Sequence, residues 1–247
     1  MNFIKIVKFD FMNIVRNPTL LFCNTLLPVV LIWVMGFATK NRFSADPVSS
    51  YDYYGINMVI LSAALVAMTA TNTFMEDTVK KGNVRIIFSP VSKSEIYLSK
   101  LLSTYLLSTI TYTVVLLIGQ YLFRINFGSH KINYIIVLIN AFLFFGTCLG
   151  ILSSCIFKTE EKANAAIQIP IAIFIFFGGV FFGIHRLGPI VNSISMISPV
   201  KWVSECAVKI IYDNEFSLFY PVIGGLYTIS FIFIIICQFV FKPEDCI

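Results

Sequence analysis

FSLFYPVIGGLYTISFIFIIICQFVF, residues 216–241, decides the class of this protein. The stretch holds no Asp, Glu, Lys, Arg or His, and sixteen of its residues are Phe, Ile, Leu or Val. A bilayer core asks for about 20 apolar residues at 1.5 Å rise each. At roughly −0.3 to −0.6 kcal/mol per large apolar side chain, insertion of this segment is favourable by several kcal/mol. Five further stretches lack the same five residue types: 19–39, 53–75, 101–123, 132–157 and 163–184. A soluble bundle puts charges on the outer face of each helix, and these stretches have none to put there. Composition agrees, with 57% hydrophobic residues, 13% charged and a mean hydropathy of +0.84, where a soluble domain carries about 25% charged residues. A soluble enzyme, a disordered chain and a nucleic-acid-binding module are excluded. The net charge of +5 is scattered between apolar blocks, so it bears on membrane orientation rather than on a polyanion partner.

The fold class expected is therefore all-α: a polytopic membrane protein of six transmembrane helices, forming one membrane domain over residues 1–247. Six spans put both termini on one side. Placing 1–18, 76–100, 158–162 and 242–247 in the cytoplasm collects 11 Lys and Arg, against 7 for the opposite assignment. The positive-inside rule favours cytoplasmic termini in a bacterial-type plasma membrane. Before the first span, Phe3, Val7, Phe11 and Val15 recur every four residues while Lys5, Asn13 and Arg16 lie opposite. That pattern predicts an interfacial amphipathic helix over 2–16, ended by Asn17-Pro18. Of the six cysteines, Cys23, Cys148, Cys155 and Cys237 lie inside spans and read as apolar fillers.

Two connections stand out. Residues 76–100 read EDTVKKGNVRIIFSPVSKSEIYLSK, a basic cytoplasmic loop broken at Ser89-Pro90, after which Ser92 or Ser94 is placed to cap a new helix with Glu95 in its first turn. Such a loop is suited to docking a partner. Residues 185–215 include fourteen uncharged residues, 187–200, with Gly188-Pro189 and Ser198-Pro199 as breakers. The run is too short to cross a bilayer and too apolar for an exposed loop, so two short re-entrant helices around Pro199 are expected.

Chemistry is sparse. The six stretches carry no ionisable side chain except Tyr and Cys, which disfavours an ion-coupled carrier. His130 and His185 are the only histidines, and no zinc-protease or serine-nucleophile motif occurs. Glu160-Glu161 reads as a solvated turn. There is no phosphate-binding Gly-x-x-x-x-Gly-Lys-Ser/Thr loop either. No catalytic residue, metal site or cofactor is assigned to this chain, and any uphill transport draws its energy from a partner.

Glu76, Lys81-Gly82, the run 88–92 (Phe-Ser-Pro-Val-Ser), Glu95 and Ser99-Lys100, with Ser198-Pro199 and Trp202 later, resemble the motifs of membrane subunits of type-2 ATP-binding-cassette (ABC) exporters. The order of an amphipathic leading helix, six spans and broken helices before the last span is similar too. The resemblance implies a non-catalytic permease subunit paired with a second permease, identical or different. It also implies two copies of an ATPase subunit, which carry the ATP and Mg. By the same analogy Glu76, Asp77, Lys80, Lys81, Gly82, Arg85, Ser89 and Pro90 dock the ATPase. Gly82 would permit a tight bend, Pro90 would fix the exit turn, and the charges would steer and register the partner.

The substrate path is less legible. Phe174, Phe177 and Phe181 form one stripe on the fifth stretch beside Gly178 and Gly179. That face is either a pairing seam, since small residues let helices approach closely in lipid, or an apolar conduit, or ordinary lipid contact. Thr104, Ser108 and Thr111 make a weak polar face with Thr69, Asn72 and Thr73, and Asn164 and Gln168 share another near the inner end of the fifth stretch. Helix-to-helix bonding is the plain reading of such groups. Pro189, Pro199 and Trp202 mark the re-entrant segment. An uncharged pathway suits an amphipathic or hydrophobic load such as a drug, an antimicrobial peptide or a lipid-like molecule. The alternatives are export of a small ion such as sodium, or an ATPase-independent channel or carrier.

Overall fold

A computed structural model describes residues 3–43, 48–75, 92–157, 159–181 and 189–241. Among them the chain is helical throughout, with no strand. Helix α1 (Phe3–Arg16) leads into α2 (Pro18–Ala38), which is followed by α3 (Ser50–Met75), α4 (Lys93–Tyr121) and α5 (Ile132–Ile156). After these come α6 (Glu160–Phe177), two short helices α7 (Pro189–Ser195) and α8 (Pro199–Val208), and the last long helix α9 (Phe219–Val240).

Helices α2, α3, α4, α5 (with the turn before it) and α9 are long and apolar enough to cross a membrane. The fifth expected span, 163–184, differs. Its helix starts earlier, with Glu160 and Glu161 in the first turn, and stops at Phe177, so it is shorter and more charged than the other five. By length and composition, five of the described helices, not six, are candidates to cross the bilayer.

Helix starts follow their capping chemistry. Asn17 Oδ1 accepts the N–H groups of Thr19 (3.0 Å) and Leu20 (3.2 Å), and Pro18 occupies the first helical position, where its missing N–H costs nothing. At α4, the Ser92 N–H and hydroxyl both donate to Glu95 Oε2, at 2.9 and 2.8 Å. This start lies two turns before the apolar stretch. The helix expected after the Ser89-Pro90 break is thus continuous with the span that follows it.

The bundle is built around α3, which is buried along nearly its whole length and packs on α2, α4, α5, α6 and α8. Small residues permit this. A Cβ on Gly150 of α5 would collide with the Ala67 carbonyl oxygen and the Ala70 methyl of α3. Helices α2 and α9 bury only one ridge each, Leu20, Asn24, Pro28, Ile32 and Gly36 in the first, and Phe219, Val222, Leu226, Ser230 and Cys237 in the second. Their outward side chains, among them Phe22, Leu26, Trp33, Phe37, Phe231 and Ile235, are apolar and exposed, as expected where the solvent is lipid.

Helix α1 buries a ridge that its apolar pattern does not mark. The predicted stripe of Phe3, Val7, Phe11 and Val15 is only half-buried, and the fully buried ridge is Ile6, Asp10 and Ile14. Hydrophobic periodicity misses this ridge because its middle member is a carboxylate, drawn inward by a cation on α4.

Two loops also pack. Phe127, completely buried, fits a notch between α3 and α4: a Cβ on Gly119 would lie 2.5 Å from its ring. The Asn126 N–H donates to Asp52 Oδ1 at 2.7 Å, tying this loop to the start of α3. After α8 a π-helical turn, Lys209–Asp213, ends at Asn214 in the left-handed region, and Lys209 pairs with Glu215 at 3.3 Å. Hydrogen bonds from Ser217 and Lys209 hold the Glu215 carboxylate below its ordinary pKa.

Candidate functional site

Glu76, Asp77, Lys80, Lys81, Gly82, Arg85, Ser89 and Pro90 lie outside the described residues, so the structure bears on the frame that carries their loop. That frame is the Met75 end of α3 and the Lys93 start of α4, and it is heavily braced. Lys100 Nζ donates to Asp10 Oδ1 at 2.5 Å and Ser99 Oγ donates to Asp10 Oδ2 at 2.7 Å. Asp10 is 1% exposed and Lys100 2%. A buried carboxylate with a direct cation and a hydroxyl donor has its charge and part of its hydrogen-bonding capacity met, the condition under which a buried pair is tolerated. Alongside, the Phe241 ring meets Phe74 and Tyr97 edge-on, both at 5.7 Å between centroids. The middle of α1 and the ends of α3, α4 and α9 are thereby joined at the base of the loop.

Above this brace a polar seam climbs through the bundle. Thr73 and Thr104 share a hydroxyl hydrogen bond of 3.1 Å. Ser108 Oγ donates to Asn24 Oδ1 at 3.0 Å, and Asn24 Nδ2 donates to Thr69 Oγ1 (3.3 Å) and to the Leu20 carbonyl (2.8 Å). Thr104 and Ser108 thus bond to neighbouring helices, while Thr111 bonds back to the Ser108 carbonyl of its own helix. Asn24 joins three helices and was not singled out from the sequence; a lone Asn in an apolar stretch on the i, i+4 ridge was the available signal. Asn164 Nδ2 donates to Asn72 Oδ1 at 2.7 Å, linking α6 to α3, whereas Gln168 is exposed.

The α6–α8 corner gathers most of the remaining candidates. Phe174 and Phe177 are half-buried and Phe181 is 43% exposed. Gly178 is buried, and a Cβ there would strike Val200 of α8. Gly179, at φ 72°, takes a backbone conformation that other residues resist. The Ser198 hydroxyl donates to the Phe174 carbonyl at 2.7 Å and Ser204 to the Gly178 carbonyl at 3.0 Å. Carbonyls left over at the end of α6 are therefore satisfied by α8. Pro199 opens α8 at its first position, Pro189 begins α7, and Trp202 Nε1 donates to the Met196 carbonyl at 2.6 Å. Lys201 is 5% exposed and donates to Asn192 and Ser195 of α7, fastening the two short helices together.

A sequence profile matches residues 1–212, from the leading helix through α8, and its family is the ABC-2 type transporters. The chain belongs to the ABC-2 type transporter family. Over 157 residues it is 27% identical to the linearmycin resistance permease protein LnrN of Bacillus subtilis (strain 168); the match covers 63% of this chain and 40% of that relative. ABC-2 type proteins are membrane transport subunits, generally non-catalytic.

One feature of this ABC-2 chain was not foreseen from its sequence. A cavity of about 440 Å³ opens between α2 and α4 at the end of the bundle opposite the 76–91 connection. Its wall is apolar, formed by Val29, Val30, Ile32, Trp33, Tyr51, Val115, Ile118, Gly119, Phe123 and Ile125. Among the described residues no cluster of His, Cys, Asp and Glu suited to a metal occurs.

Proposed function

We propose that this chain is the permease subunit of an ATP-driven exporter for an amphipathic or hydrophobic molecule such as a drug, an antimicrobial peptide or a lipid-like compound. The observation that carries the reading is the family match, in a chain whose six apolar stretches hold no ion-coupling side chain and whose sequence holds no nucleotide-binding loop. Energy then arrives from an ATPase subunit, present in two copies with its ATP and Mg. The relative's printed role in resistance to linearmycin supports a toxic organic load over a small ion.

In this reading both termini are cytoplasmic and α6, continued by 178–181, makes the sixth crossing. Helices α7 and α8 form a re-entrant cap on the far side. The loop at 76–91 docks the ATPase, with Lys80, Lys81 and Arg85 steering it and Gly82 and Pro90 shaping the bend. The α1–α4 brace beneath the loop is suited to pass a push from the ATPase into the bundle. The outward face of α6, with Gln168, Ile169, Ile173 and Phe176 exposed, is where a second permease subunit packs.

Two measurements test this. Replacing Lys80, Lys81 and Arg85 together by Gln is expected to abolish co-purification of the ATPase, and unchanged complex yield defeats the docking role. In inside-out vesicles holding the complex, ATP is expected to drive uptake of an amphiphile. Movement of sodium but of no amphiphile overturns the substrate class, and flux through the permease without an ATPase overturns the exporter.

A further inference from the structure

The cavity between α2 and α4 is partly enclosed and lined by apolar side chains. Its floor is buried, with Ile32 and Ile125 almost fully covered, while Trp33 and Phe123 at its rim are 62% and 60% exposed. It therefore opens sideways, through helix faces that meet lipid. Water is a poor occupant, because a held water needs two to four polar partners and this wall is apolar. At about 440 Å³ the space falls in the range of ligand pockets and is open along one side.

The rim carries one further feature. Arg124 sits in the chain between two wall residues, Phe123 and Ile125. It is exposed and, among the described residues, makes no ion pair. Its backbone is in the left-handed region at φ 57°, which few residues other than Gly, Asn and Asp adopt readily. An exposed cation is thus carried by the backbone between two wall residues, where the chain leaves α4, and Trp33 on the same wall is of the residue type enriched at lipid headgroups.

We propose that this slot binds an anionic phospholipid, one acyl chain lying in the cavity and the phosphate paired with the Arg124 guanidinium. The inference rests on the chain residing in a membrane and is independent of what it transports. Tryptophan supplies the test, since Trp33 and Trp202 are the only two in the sequence. Trp202→Phe leaves Trp33, on the cavity wall, as the sole reporter. This protein is reconstituted in phosphatidylcholine vesicles containing either brominated phosphatidylglycerol or brominated phosphatidylcholine. The expected result is quenching of Trp33 with about fivefold tighter apparent affinity for the anionic lipid, the scale of one Arg near an anionic surface.

Arg124→Asn, which tolerates the same backbone conformation, is expected to erase that preference, and Arg124→Lys to keep most of it. Val29→Phe, which fills the slot, is expected to lower quenching by both lipids. Equal quenching by the two lipids, a preference that survives Arg124→Asn, or quenching unchanged by Val29→Phe overturns the proposal. If Trp202→Phe does not yield folded protein, native mass spectrometry of the unaltered chain and its Arg124→Asn variant makes the same comparison. Retained phosphatidylglycerol must then fall in the variant, and equal retention overturns the site.

Discussion

Asp10 and Lys100 are ninety residues apart in sequence and form a buried ion pair. Removing one partner leaves an uncompensated charge in the interior, which costs about 3–5 kcal/mol, whereas replacing both by apolar side chains is often near neutral. Asp10→Asn and Lys100→Met are each expected to lower the thermal unfolding midpoint sharply in detergent, and the double variant Asp10→Leu with Lys100→Met to recover much of the loss. Additive losses in the double variant would mean that the two residues act separately. Asn24→Ala is a milder case. It removes hydrogen bonds to Ser108 and Thr69, worth about 0.6 kcal/mol each inside a membrane, and a drop of about 1 kcal/mol in the same assay is expected. Neither contact is legible in the sequence. A lone carboxylate on an amphipathic helix reads as solvated, and a lone Asn in an apolar run does not announce its neighbours. By contrast the Asn17-Pro18 and Ser92/Glu95 starts are legible, because capping is settled within four residues.

Helices in this protein meet through small residues, since lipid supplies no hydrophobic drive between them. Gly150 shows the point. Any side chain there meets the backbone of α3, which does not yield as a flexible side chain does. Gly150→Val is expected to force α5 from α3 at a cost of about 1–3 kcal/mol. Gly224 of α9 has nothing within 4 Å of a built Cβ, so Gly224→Ala is expected to be neutral or to stabilise by up to about 1 kcal/mol. Thermal unfolding of the two variants side by side separates close packing from helix propensity. Ser198→Ala removes both the cap of α8 and the donor to the Phe174 carbonyl, and a loss of about 0.5–2 kcal/mol is expected. Helix lengths were largely readable from runs without charge. The end of α6 was not, because Gly178 stops there against Val200, a contact that belongs to tertiary packing.

Across the whole molecule, the outward apolar faces of α2, α4 and α9 define a surface for lipid. Phe231→Arg, on the exposed face near the middle of α9, is expected to cost about 2.5–3.5 kcal/mol of insertion, seen as loss of protein from the membrane fraction. Phe231→Leu is expected to be silent in the same assay. That this is a helical membrane chain follows from the sequence alone, because a run without charge is costly to leave in water and a helix is the simplest way to satisfy its backbone in lipid. Which face of each helix turns inward does not follow, because inside and outside are equally apolar and composition does not distinguish them. Only the packed structure selects the buried ridge of α1, the seam through Asn24 and the slot between α2 and α4. Each arises where close backbone approach or a polar partner from a distant part of the chain outweighs a hydrophobic preference that is nearly the same on every side.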